Sequence, residues 1–214
     1  MRGRAALLLA LLGAPLGGQD PLSIVGRAGR IYRNLSSLQA DFVQIIEDRA
    51  QGDTLTSRGV VTQAGDNHFA MWFSDPAGEA VVVDGKYIWT YTPSTAPNQV
   101  YRRLVPTDPV YGVNLLAQLL DRPHDRYRAS YVNRDTVAGR ATDVIDLVPN
   151  DDDLGFRRAR IWLGVDDALP RRIELEEAGA RRILILSKLR PNISISRKTF
   201  TFQPPAGVRI IDRT

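Results

Sequence analysis

The chain has 214 residues, 28 Lys and Arg against 24 Asp and Glu, a net charge of +4, and no cysteine. The missing cysteines exclude disulfides, a thiol nucleophile and cysteine metal sites, so an ordinary hydrophobic core must hold the fold, which this length allows. No Lys/Arg block argues for nucleic acid as a partner.

The chain opens Met1-Arg2-Gly3-Arg4, followed by an apolar run from Ala5 to Leu12. This pattern predicts a secretory signal peptide over residues 1–18, with Gly17 and Gly18 as a cleavage site. The run is shorter than the roughly 20 residues of a spanning helix. No cysteine follows it, so a soluble product without a lipid anchor is expected. Without Arg2 and Arg4 the net charge falls from +4 to +2. Residues 19–214 are expected to form a single domain.

Asp20 and Pro21 predict the start of a helix. Ile24, Ala28, Ile31 and Leu35 recur at helical spacing and give it one apolar face, while two internal glycines weaken it. From Leu38 to Pro106 the period changes to two, with strands expected near 38–49, 54–63, 67–74, 79–83, 87–92 and 99–104. In the third strand, Phe69, Met71 and Phe73 share one face, and Ala70 and Trp72 the other. Asp84-Gly85 predicts a tight type I′ hairpin. Beyond it, Tyr87, Trp89 and Tyr91 share one face of a strand. These rows must cover a core, a partner or an apolar ligand.

A second helix is expected over Val110–Asp121. Asp108 or Pro109 is placed to start it and Arg122-Pro123 to end it. It is apolar on most of its surface, so it is buried or lies on an apolar opening. Strands resume near 127–134, 140–148, 156–164, 170–178, 181–190 and 197–202, and the tail from Gln203 to Val208 reads as irregular. The total, roughly eleven or twelve strands, is enough to curl into a barrel or a strongly curved sheet.

Enzyme chemistry is poorly represented. His68 and His124 have no Cys or Glu at metal-ligand spacing, and no nucleophile turn or Gly-rich phosphate loop is present. Asp151-Asp152-Asp153 lacks the alternating spacing of a calcium loop and reads as a solvated turn. No metal or cofactor is expected.

An ordered set of motifs resembles the periplasmic outer-membrane lipoprotein carriers, the LolA family. The set begins with the signal peptide and amphipathic helix. It continues with Leu38-Gln39-Ala40-Asp41-Phe42-Val43-Gln44, Gly59, the strand with Phe69, and Pro76 ahead of Val81-Val82-Val83-Asp84-Gly85-Lys86 with Trp89, Tyr91 and Pro93. It closes on Phe200-Thr201-Phe202-Gln203-Pro204-Pro205-Ala206-Gly207-Val208. The resemblance implies a mainly β fold with two or three short helices: a half-open antiparallel β-barrel whose mouth the helices cover as a lid. It also implies a monomeric periplasmic carrier, not an enzyme. Such a carrier takes acylated lipoproteins from an inner-membrane ABC transporter and passes them to an outer-membrane acceptor. Phe69, Met71, Phe73, Trp89 and Tyr91 are then expected to line the cavity, with Ile24, Ile31, Leu116, Leu119 and Leu120 facing it from the helices. The family's lid-holding arginine has no counterpart, because Gly65-Asp66 stands where its members carry Arg-Pro. Two other readings keep the same half-barrel: a carrier of some other lipid, or a sensor domain whose aromatic row is a dry core. An apolar pocket of at least roughly 300 Å³ favours a carrier over the sensor.

Overall fold

The computed structural model describes residues 20–65, 67–107 and 113–213. The segment read as a signal peptide lies outside them, as do Asp66 and the first part of the expected second helix. The described elements begin with α1 (Pro21–Arg33), followed by six strands: β1 (Ser37–Asp48), β2 (Thr54–Ala64), β3 (His68–Asp75), β4 (Ala77–Asp84), β5 (Tyr87–Tyr91) and β6 (Gln99–Leu104). Two short helices follow, α2 (Leu115–Leu120) and α3 (Pro123–Arg126). Then come β7 (Tyr127–Val137), β8 (Arg140–Pro149), β9 (Phe156–Gly164), β10 (Pro170–Glu177), β11 (Ala180–Pro191) and β12 (Arg209–Asp212).

All twelve strands form one sheet in the order β12-β6-β5-β4-β3-β2-β1-β11-β10-β9-β8-β7. The sheet is unclosed, with β12 and β7 at its two edges. The order dictates where the connections run. The first meander works outward from β1 to β6, and the second begins at the opposite edge with β7 and returns to pair β11 with β1. The link from β6 to β7 must therefore cross a face of the sheet, and α2 and α3 lie on that link. The chain leaving β11 must cross again to bring β12 alongside β6, where it pairs in parallel. The first crossing covers the inner face together with α1, and the second covers the outer face.

The inner face makes one large core. It joins Phe42, Phe69, Val83 and Ile88 from one half of the sheet to Ile145, Phe156, Ile161 and Leu175 from the other, with Val25, Ala28, Leu119 and Leu120 from the helices. That the two halves meet through the helices shows the sheet to be curled around them.

Local chemistry explains the helix ends. Asp20 accepts hydrogen bonds from the Ser23 backbone N–H and hydroxyl, both at 3.0 Å, and Pro21 fills the first position. Gly29 lets α1 settle on α2, since a Cβ there would overlap the Leu120 carbonyl oxygen. A glycine that weakens the isolated helix thus permits its packing.

Four expectations are corrected. Residues 197–202 are not a strand: Arg197–Phe200 is a 3-10 turn capped by Ser196, and Phe200 and Phe202 alternate as anchors on the outer face rather than as ladder residues. The twelfth strand lies later, at β12. The second helix starts at Leu115, with Asn114 rather than Asp108 or Pro109 as its cap, and Pro123 begins α3 instead of only ending α2. In the hairpin, Val83 pairs with Ile88, so Gly85 and Lys86 are the central residues, and Gly85 takes the positive φ of 99°.

Candidate functional site

The inner face is not filled at one end. Between α2 and strands β3 to β6 lies an opening of about 380 Å³. Its walls are Phe69, Val83 and Ile88 from the sheet, Val105, Pro106 and Thr107 after β6, and Val113, Asn114 and Ala117 at the start of α2, with Asn67 at the rim. A smaller space of about 150 Å³ lies under the junction of α1 and α2, between Tyr32, Arg33, Leu35, Gln63, Gly65 and Leu120. Asn114 and Ala117 border both.

Among the described residues, three side chains, Asn114, Arg33 and Tyr127, hydrogen-bond the helical cover in place. The Asn114 side-chain amide donates to the Tyr32 hydroxyl at 2.9 Å, while Asn114 Oδ1 accepts from the backbone N–H groups of Leu116 and Ala117. One side chain therefore caps α2 and ties it to α1. Burial pushes the Tyr32 hydroxyl well above the usual tyrosine range, against the opposing effect of Asn114, so it stays a neutral group. At the other end of α2, Arg33 donates to the Leu120 carbonyl at 3.5 Å and the Tyr127 hydroxyl to the Gln118 carbonyl at 3.0 Å. Gly65 borders the small space and offers no side chain to it; a Cβ there would meet nothing within 4 Å.

The structure gathers eight of the ten expected residues on the inner face. Phe69, Leu116, Leu119 and Leu120 are buried there, and Ile24, Ile31, Met71 and Phe73 pack partly buried against the same core. Of these, Phe69 borders the larger opening and Leu120 the smaller. The other six sit in packed core between the cover and the sheet. Trp89 and Tyr91 are placed elsewhere, on the outer face. There Trp89 is 8% exposed in a separate cluster with Ala70, Val82, Val100 and Phe200, against which Tyr91 and Phe202 pack. The Phe202 ring stands 5.8 Å from Trp89 and 5.7 Å from Tyr91. Register is the reason. Val82 pairs with Trp89 and Val83 with Ile88, so Ile88 shares the face of Phe69 and Trp89 takes the other.

Asp84 fixes this hairpin by accepting from the Trp89 indole N–H at 2.8 Å and from the Tyr87 and Lys86 backbone N–H groups. Burial raises its carboxyl pKa, but these bonds outweigh it and the net position is below the usual range. Trp72 and Trp162 also face outward. Trp72 donates to the Thr199 carbonyl, and Trp162 donates to Asp135 beneath Arg172. All three tryptophans of the chain thus lie away from the opening.

Sequence reasoning missed Asn114, Tyr32, Ile88, Val105 and Ala117. Asn114 carried a readable signal, as a capping residue directly before an apolar helix. Among the described residues, no group of three or more His, Asp or Glu could hold a metal ion. Nor is any of their helices long and apolar enough to cross a membrane.

A match to the family described as "Outer membrane lipoprotein carrier protein LolA" covers residues 33–203. An outer-membrane lipoprotein carrier protein of Halorhodospira halophila is 26% identical, across 97% of this chain and 91% of its own. One from Alkalilimnicola ehrlichii is 25% identical, across 86% and 81% respectively. Among solved structures, an uncharacterized conserved protein from Thermus thermophilus aligns with a TM-score of 0.57 at 14% identity, covering 89% of this chain and 98% of that one. MucB aligns with a TM-score of 0.51 at 20% identity, covering 87% and 64%. These two likenesses concern the fold alone.

Proposed function

Because the chain belongs to the family of the outer membrane lipoprotein carrier protein LolA, we propose that it is a periplasmic, non-enzymatic carrier of lipoproteins. It shelters their acyl chains against the inner face of the sheet on the way from the inner to the outer membrane. It takes its cargo from an inner-membrane ABC transporter and gives it to an outer-membrane acceptor.

The observation that carries this reading is the apolar opening of about 380 Å³ beside α2. It lies within the range of about 300–1,000 Å³ typical of ligand pockets, at its lower end. The physical need is plain. Each buried methylene is worth about 0.8 kcal/mol, so an acyl chain of about 15 carbons resists water by roughly 12 kcal/mol. A carrier must keep such chains on an apolar wall throughout.

The closed opening admits part of that load. The rest is accommodated as the cover shifts and Leu116, Leu119, Leu120, Ile24 and Ile31 become wall opposite Phe69, Met71 and Phe73. A six-residue helix on a chain crossing opens at lower cost than strands paired on both sides within the sheet. Trp89 and Tyr91 serve as core beneath the tail and take no part.

Calorimetry with a palmitoylated peptide and its unacylated twin tests this. Only the acylated form is expected to bind. Ala117→Trp, which fills the space shared by both openings, is expected to weaken binding about tenfold, the effect of about 1.4 kcal/mol. Equal behaviour of the two peptides, or full affinity in the filled variant, would sink the reading.

A further inference from the structure

The smaller space, under the junction of α1 and α2, is bordered by five polar side chains: Tyr32, Arg33, Gln63, Asn114 and Asp121. Four of them have partners on the protein. Tyr32 and Asn114 bond each other, Arg33 donates to the Leu120 carbonyl, and Asp121 pairs with Arg122. Gln63 is the exception. Its Oε1 atom is out of contact with solvent and has no hydrogen-bond partner. Buried acceptors are ordinarily bonded, so an unpaired one beside a cavity marks a place for a donor.

Strand register sets this acceptor next to the apolar wall. Val61 belongs to the inner core, and Gln63, two residues on along β2, shares its face. Across the ladder Gln63 pairs with Phe69, which borders the larger opening. Residues paired in this way have Cβ atoms about 5 Å apart. The cover brackets the same junction from the other side, since Asn114 and Ala117 border both spaces. Gly65 leaves the smaller space room, because it brings no side chain. An alkyl chain lying along Phe69 in the larger opening therefore ends beside Gln63.

We propose that Gln63 Oε1 accepts the N–H of an amide-linked acyl chain, so that the protein prefers N-acyl ligands, such as a peptide acylated on its amino group, to O-acyl esters. An ester has the shape of the amide but carries an oxygen in place of the N–H. It would set one acceptor against another, and a site built to bond a donor rejects the analogue that lacks it. The inference rests on the carrier reading, because the chain must occupy the larger opening.

Calorimetry with N-(2-methoxyethyl)decanamide, its ester counterpart 2-methoxyethyl decanoate, and the N-methylated amide tests it, each ligand below the concentration at which it aggregates. The amide is expected to bind about tenfold tighter than the ester, and N-methylation should remove that advantage. Gln63→Met, of similar length but with no amide, should bring amide and ester within about twofold of each other. Gln63→Glu, which keeps an acceptor, should retain the preference. In the wild-type protein the amide, but not the ester, should shift the Gln63 side-chain resonances, a readout that needs no variant to fold. A preference that survives Gln63→Met, or Gln63 resonances that ignore the amide, would overturn the subsite. Equal affinity of the wild type for amide and ester refutes the subsite and leaves the carrier reading standing. Failure of all three ligands to bind refutes both.

Discussion

Gly26 and Gly29 lie one turn apart in α1 and meet different neighbours. At Gly29 a Cβ would collide with the backbone carbonyl of Leu120, which cannot swing aside. At Gly26 the nearest atom is the tip of the His124 side chain, at 3.4 Å. Gly29→Ala is therefore expected to cost about 1–3 kcal/mol as α1 is forced off α2. Gly26→Ala is expected to be neutral or to gain up to about 1 kcal/mol from helix propensity. Urea unfolding of the two variants checks this, and equal effects would contradict the packing described. Gly59 obeys the same logic on β2, where a Cβ would overlap the Trp72 carbonyl and crowd Phe42. None of these distinctions is visible in the local sequence, because a close approach is made by a residue distant in the chain.

Strand positions were readable as elements. The runs expected at 99–104 and 156–164 are β6 and β9 residue for residue, the other expected ladder strands begin and end within about three residues of expectation, and β12 was not expected. The exception, 197–202, alternates Thr and Phe just as a strand would. It has no neighbour to pair with because it lies across the outer face of β3 and β4 instead of at an edge. The strands also carry a pH dependence. On the outer face, Asp146 binds Arg160 and Arg158, and Glu174 binds Arg181 and Arg172. Burial raises both carboxyl pKa values, but their arginine partners outweigh it, and both groups sit below the usual range, as Asp84 does. A lowered folded-state pKa means that the unfolded chain binds more protons in acid. The stability these groups contribute is complete above their unfolded values, near about 4, and is lost as pH falls through the folded ones. Urea midpoints should thus drop below about pH 4.5, and Asp146→Asn should flatten that drop. An unchanged slope in the variant would contradict the assignment.

At the scale of the whole molecule, the two chain crossings give the half of the sheet from β3 to β6 an apolar cover on both sides. The helices lie inside and the segment from Ile195 to Val208 outside. This arrangement sets which spectroscopic probe sees the cavity. Met71, the only methionine besides Met1, packs on the inner face, and Trp72, Trp89 and Trp162 face away from it. Binding of a palmitoylated peptide is expected to shift the Met71 methyl resonance while leaving tryptophan emission nearly unchanged. A large emission shift with a static Met71 signal would place the ligand on the outer face instead.

The sequence by itself determined eleven of the twelve strands, the apolar character of both helices and the pairing of side chains into rows, because period and capping are local properties. Only the tertiary structure decided between the rows of β3 to β5. On β3 and β4 both rows are apolar because both are covered, and on β5 the more apolar row, Tyr87, Trp89 and Tyr91, is the one that faces outward beneath the tail, so alternation did not tell which row faced the opening. The register through Val83 and Ile88, and the path of the tail over Trp89, settled it: the aromatic row of the hairpin is core, and its modest neighbour Ile88 borders the cavity.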